Sequence, residues 1–205
     1  MKVKYAVVGH HSRRENAIRL ARFLNAALAM DEGDAGSLRN HDLAWTLAYS
    51  PGADWVIVLE DDAVLVEGFQ DHVENALGHV PKDGAVSFYT GTGQPKRFVV
   101  CDAVSKASKV GCSWIRTDTL LWGPAVALPV HHVQPMLRYV RDIGKPYDQR
   151  LGQYLIAHRI PCFYTAPSLV DHEDGKSLIG DSSWPRKAHD FRQPDGWNRR
   201  YVYMI

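Results

Sequence analysis

The stretch Trp55-Val56-Ile57-Val58-Leu59 constrains this chain more than any other. It is continuously apolar, the turn pair Pro51-Gly52 precedes it, and Glu60-Asp61-Asp62 follows it at once. A strand that does not alternate must be buried on both faces, which marks the centre of a mostly parallel sheet. The carboxylates then stand at that strand's C-terminal end, on the sheet edge where ligands of open α/β folds bind.

The rest of the chain supplies the layers such a sheet needs. Strands are expected over residues 3–8, 27–30, 85–89, 98–102, 125–128 and 162–165, beside the one at 55–59. Helices are expected behind Ser12-Arg13-Arg14-Glu15, whose spacing is that of a capping box, and over 38–49, 67–77, 133–142 and 148–158. The alternating order predicts an α/β fold with a mixed, mostly parallel central sheet flanked by helices, Rossmann-like in its first half. No internal repeat or low-complexity linker divides it.

The chain of 205 residues fits one domain. The expected division is a single catalytic unit over 1–180 and a basic, aromatic extension over 181–205 packed on it. The extension carries Arg186, Lys187, Arg192, Arg199 and Arg200 among Trp184, Phe191, Trp197 and Tyr201. A net charge of +1 gives no general pull toward nucleic acid, so polyanion binding would need this local patch. The plainer reading is a solvated tail held on the core by its aromatics. Cys101, Cys112 and Cys162 fit neither a zinc motif nor a disulfide framework. The N-terminus runs straight into a strand, and no apolar run is long enough for a bilayer. A reduced, cytoplasmic protein is the expectation.

Three adjacent carboxylates at a buried strand end repel one another and resist desolvation. A divalent cation resolves that conflict. In extended chain, residues i and i+2 point the same way, so Glu60 and Asp62 can share one ion while Asp61 faces elsewhere. Oxygen ligands suit magnesium or manganese. The alternative is an acidic turn fixed by backbone amides, without metal.

The segment from Trp55 to Val64 also resembles the D-x-D region of the GT-A glycosyltransferases. The likeness is closest to lipooligosaccharide-type transferases and to small transferases of actinobacteria and their phages. Further pieces extend it over roughly residues 4 to 180. They are Gly9-His10-His11-Ser12-Arg13-Arg14, Asn40-His41 with Ala44-Trp45, Ser87-Phe88-Tyr89 with Gly91-Thr92-Gly93, Trp122-Gly123-Pro124-Ala125, Tyr147-Asp148, and Pro167-Ser168-Leu169-Val170-Asp171-His172.

The resemblance implies a metal-dependent transfer of sugar from a nucleoside-diphosphate donor, a UDP-sugar by preference, to a hydroxyl acceptor. Asp62 would ligate the metal directly. Glu60 would touch the metal or the ribose, although many relatives have aspartate there. His172 would complete the site, and an imidazole ligand favours Mn2+ over Mg2+. Asp148 matches the catalytic base of inverting members, and is otherwise a helix N-cap after Pro146. Gly123 would let backbone approach the donor, or is a simple turn. His11, Arg14 and Asp31 are candidates for the donor's base and ribose, with Asp61 as the neighbour that orients the loop. For Arg14 the alternative is a solvated first-turn residue, and for Asp31 a loop cap. Trp114 and Trp122 are candidate platforms for a sugar ring, against the alternative of ordinary core or rim tryptophans.

Two rival functions remain at this level. A sugar nucleotidyltransferase uses similar acids on a similar sheet, but Gly9-His10-His11-Ser12 lacks the glycine-rich, basic phosphate loop. A degenerate transferase would bind nucleotide sugar or glycan without turnover. The acceptor stays open among a glycan, a protein and a hydroxylated base in phage DNA.

Overall fold

The computed structural model describes residues 1–33, 36–81, 83–92, 96–173 and 186–204. In chain order the strands are β1 (Val3–His10), β2 (Ala27–Asp31), β3 (Trp55–Glu60), β4 (Ala63–Leu65), β5 (Ala85–Ser87), β6 (Trp114–Thr117), β7 (Ala125–Pro129), β8 (Cys162–Thr165), β9 (Val170–His172) and β10 (Tyr201–Tyr203). The helices are α1 (Arg14–Leu24), α2 (Gly36–Ala48), α3 (Phe69–Gly78), α4 (Arg97–Val110), α5 (Val130–Val140) and α6 (Tyr147–Ala157). None of them is long and apolar enough to cross a membrane, among the described residues.

Eight strands form one sheet in the order β10-β6-β8-β5-β7-β3-β1-β2, and β4 pairs separately with β9. Pairing is parallel at β1–β2, β1–β3, β5–β8 and β6–β10. It is antiparallel at β3–β7, β5–β7 and β6–β8. The fold is therefore α/β, with a mixed and mostly parallel central sheet flanked by helices.

β3 lies inside this sheet, and its two faces feed two apolar layers. Val56 and Val58 pack with Trp45 of α2, Met136 of α5 and Leu155 of α6. Ile57 and Leu59 pack with Phe69 and Val73 of α3. Burial of each such side chain stabilises by roughly 1.5–3 kcal/mol, and the observed register leaves Glu60 at the end of β3. Parallel register also aligns the ends of its neighbours, with His10 opposite Asp31 and Val8 opposite Glu60. Three strand termini thus open on one edge.

Two expectations need correction. Residues 98–102 are not a strand, because they begin α4. Val100, Ala103 and Ala107 recur at helical spacing and are the buried face, while Phe98 is left 83% exposed. Adjacent Val99 and Val100 favour β-structure locally, and packing of the helical face overrides that propensity. The capping box at Ser12 and Glu15 is also absent. Residues His11–Arg13 form a 3-10 turn, Arg13 is the N-cap of α1, and Ser12 pairs with the His10 imidazole instead.

The tail supplies the last strand of the sheet. β10 runs beside β6, Trp197 packs 5.3 Å from Trp114, and Arg116 stacks on Tyr203. Trp184 and Gly93, named above, lie outside the described residues.

Candidate functional site

The ends of β2 and β3 contribute the carboxylates of this edge, and each carboxylate has a different environment. Asp31, at the end of β2, accepts hydrogen bonds from the Gly33 and Gly36 amides at 2.8 and 2.9 Å. It ties the start of α2 to the end of β2, and it lines the cleft. Asn40 of α2 ties the same edge together by donating to the Gly9 and Ala29 carbonyls at 2.8 and 3.1 Å. Gly9 is required there, since a Cβ would stand 2.7 Å from that of Ala17.

Asp61 turns back under β1. Its carboxylate accepts from the His10 amide at 2.8 Å and from Arg13 at 3.0 Å. The same Arg13 nitrogen also reaches Asp62. Arg13 is therefore the clamp that lets two neighbouring carboxylates stay buried at 6% and 5% exposure.

Asp62 meets a residue from far along the chain. β4 pairs antiparallel with β9, which sets Ala63 opposite His172, and the Glu173 amide donates to the Asp62 carbonyl at 2.9 Å. The Nε2 atom of His172 then lies 3.3 Å from the Asp62 carboxylate. Its Nδ1 is 2.9 Å from the Glu173 carbonyl. A carbonyl only accepts, so Nδ1 carries a proton, and Nε2 is the ring nitrogen that faces Asp62. This is the orientation a metal-ligating histidine takes.

Glu60, Asp62 and His172 have their ligand atoms within 4.8 Å of one another. The second Asp62 oxygen is buried with no hydrogen-bond partner among the described residues. Burial first, and then the Glu60 charge, push the Asp62 carboxyl above its usual range, while His172 and Arg13 oppose them. Burial pushes Glu60 up as well, but His41, His172 and Arg186 outweigh it and hold Glu60 below its usual value. An orphaned buried carboxylate oxygen, a second carboxylate and an imidazole nitrogen form an O,O,N donor set that fits a divalent cation.

Glu60 has a wall of its own. His41 donates Nδ1–H to the Ser37 carbonyl at 2.7 Å, and its Nε2 sits 3.5 Å from Glu60. The His41 ring stacks on Tyr147 at 3.9 Å, and Trp45 donates to the Tyr147 hydroxyl at 3.2 Å. Gly123 makes this stack possible. A Cβ there would come within 2.8 Å of the Tyr147 ring and 3.4 Å of Glu60. Gly123→Ala is expected to cost about 1–3 kcal/mol by overpacking. A urea midpoint measured on that variant would show no shift if Tyr147 had room to move.

Asp148 occupies the first turn of α6, next to Tyr147. The N-cap is Pro146, so Asp148 is not the cap, and its carboxylate accepts from the Gln149 amide at 2.8 Å. Burial raises its pKa, and the Glu60 charge adds to that effect. Trp122 is half-buried, edge-on to Tyr89 and Tyr164 at 6.1 and 6.0 Å, and Tyr89 lies 6.4 Å from His172.

Trp114 stands apart from this group. It is fully buried, its indole donates to the Asn198 carbonyl at 2.8 Å, and Phe163 and Trp197 cover its ring. No face is left for a sugar, so Trp114 is corrected to a core residue. His11 is exposed against the His10 ring, and Arg14 pairs with Glu32 at the surface. Neither lines the cleft.

The cleft itself has a volume of about 280 Å³ and is lined by Arg13, Asp31, His41, Glu60, Asp62 and Arg186, among others. Arg13 and Arg186 both enter the cleft, Arg13 from the turn after β1 and Arg186 from the basic tail. Arg186 has a buried guanidinium nitrogen with no hydrogen-bond partner among the described residues. Two guanidiniums beside a carboxylate–imidazole cluster can hold an anion that the carboxylates alone would repel.

No protein-family model matches this chain, and no curated protein matches it. Among solved structures the chain is similar to A197 from STIV, with a TM-score of 0.52 at 10% identity over 85% of this chain and 87% of that one. It also matches a glycosyltransferase involved in the glycosylation of the major capsid of PBCV-1, at a TM-score of 0.38 and 11% identity, over 85% of this chain and 94% of that one. At such identities the likeness is one of fold alone, and A197 carries it.

Proposed function

We propose that this protein is a metal-dependent glycosyltransferase that moves a sugar from a nucleoside-diphosphate donor, a UDP-sugar by preference, to a hydroxyl acceptor. The observation that carries this reading is the convergence of Glu60, Asp62 and His172 on the ligand-binding edge of the sheet. Manganese is the preferred ion, with magnesium as the alternative. When bound, the cation would supply Lewis-acid stabilisation to the departing diphosphate.

The chain's own residues divide the remaining work. Asp62 and His172 hold the ion, and Glu60 supplies a further carboxylate. Arg13 holds Asp61 and Asp62 in place. Arg186 binds a diphosphate oxygen and offsets the charge that builds as the sugar leaves. Asp31, with the Gly33 and Gly36 amides on it, borders the nucleoside, and His11 and Arg14 stand at the outer rim of that subsite. Gly123 and Tyr147 close the floor under Glu60. Asp148 accepts the proton of the acceptor hydroxyl, which gives inversion at the sugar. Trp122 offers an aromatic edge to the sugar side.

The test is a screen of nucleotide sugars with Mn2+, read by release of nucleoside diphosphate. Slow donor hydrolysis supports the transferase. Thermal stabilisation by nucleoside diphosphate, with no hydrolysis and no transfer to any acceptor, would instead make the protein a binder. Arg186→Gln is expected to weaken nucleoside-diphosphate binding by about 1.5–3 kcal/mol, the worth of a charge-assisted hydrogen bond. Calorimetry with Mn2+ present measures it, and unchanged affinity would remove Arg186 from the site.

A further inference from the structure

We propose that Asp83, His131 and His132 form a second metal site, for a zinc-like transition ion, at the end of the sheet opposite the cleft. β3 runs from Trp55, which pairs with Pro129, to Glu60 in the cleft. Pro129 leads directly into α5, so His131 and His132 sit roughly 16 Å away along the strand direction. Asp83 reaches the same place from the segment ahead of β5.

The geometry is that of a ligand set. The Nε2 atoms of His131 and His132 lie 3.2 and 3.6 Å from one Asp83 oxygen, and all three ligand atoms fall within 4.8 Å of one another. Four ligands around zinc at its usual bond lengths stand roughly 3.3 Å apart. Two imidazoles and a carboxylate suit zinc or a neighbouring transition metal better than magnesium or calcium.

Two supports hold the ligands in place. The other ring nitrogen of His132 lies 3.3 Å from the hydroxyl of buried Tyr154, whose ring packs on His158 at 4.4 Å. A hydrogen-bond partner behind the ring holds the direction of a metal-binding histidine. Asp83 is anchored through Gly84, where a Cβ would stand 2.5 Å from the Pro161 carbonyl, and the Ala85 amide donates to that same carbonyl at 2.9 Å. The first turn of α5 presents its positive dipole end and opposes a cation. The Asp83 carboxylate offsets this, so its charge matters as much as its reach. With three protein ligands near the surface, the fourth position falls to water. The ion would staple the segment before β5 to the start of α5.

Equilibrium dialysis and thermal melting with Zn2+ test this in an Asp62→Asn background, which disables the cleft cluster. The expected result is retention of one zinc per chain with a raised Tm. Adding His131→Ala or Asp83→Asn should abolish both the bound zinc and the Tm rise. Both side chains are about 60% exposed, so these variants keep the fold. Tyr154→Phe should weaken zinc binding about tenfold while leaving the ligands intact. In the otherwise wild-type chain, His131→Ala should leave Mn2+-dependent donor turnover unchanged. Equal zinc stoichiometry and affinity with and without His131→Ala and Asp83→Asn, or no zinc bound by the Asp62→Asn protein, would overturn the site.

Discussion

Asp62→Asn is expected to reduce metal-dependent donor turnover on the order of a thousandfold, the rate equivalent of several kcal/mol of lost transition-state stabilisation. The substitution is nearly isosteric and keeps an oxygen for Arg13, so the turn at the end of β3 persists. What it removes is the charge on a carboxylate that burial and Glu60 already push toward protonation. The sign for stability follows from linkage. A carboxyl whose folded pKa is raised contributes stability that is present at low pH and lost as pH rises through that folded value. At neutral pH without metal, ionised Asp62 is therefore a net burden, and Asp62→Asn should melt no lower than the wild type. Glu60, held below its usual value, acts in the opposite sense and loses its contribution as pH falls. The Tm difference between wild type and variant across pH isolates the Asp62 effect. Turnover near the wild-type rate, or a metal-free Tm that falls at neutral pH, would remove Asp62 from its proposed role.

Asp148→Asn should lower the rate of transfer by about a hundredfold to ten-thousandfold, the range for a general base. Donor affinity should change little, because Asp148 stands on α6 and not on the nucleotide edge of the sheet. Burial and the Glu60 charge raise its pKa. A base must be ionised to act, so activity should rise with pH on a limb above the ordinary aspartate value of about 3.9. That limb should vanish in Asp148→Asn. Near-wild-type transfer in the variant, or an unchanged limb, would show that Asp148 is not the base.

The parts of this site differ in how far they can be read from sequence, and the reasons are physical. β3 and its acidic end are legible because a continuous apolar run allows one placement, on both faces of the core. Asp31 is legible as the end of a short strand. His172 is separated from Asp62 by over a hundred residues, and only the resemblance named it. Its placement depends on pairing of β4 with β9, two strands of three residues each, too short to signal themselves.

Arg13 and Arg14 show the limit of phase reasoning. They are adjacent and chemically alike, yet the 3-10 turn aims Arg13 at Asp61 and Asp62 and leaves Arg14 with Glu32 outside. A capping-box reading puts the cap at Ser12, one residue before the observed cap at Arg13, and cannot distinguish them. Trp114 and Trp122 fail in the same way. Both are tryptophans near turns, but β6 pairs with the tail strand, and that closes Trp114 under Trp197. Arg186 gave only a charge in a basic tail, because its value lies in a buried nitrogen that composition cannot reveal.

Glu60, Asp62 and His172 are proposed to form the metal centre at which the donor's diphosphate binds. Anomalous diffraction at the manganese edge, from crystals soaked with Mn2+ and UDP, tests it most directly. The predicted result is a manganese peak bridging Asp62 and His172 beside Glu60, with diphosphate density between the ion and Arg186. A UDP molecule bound elsewhere, or a cleft holding UDP with no manganese at these three residues, would contradict it.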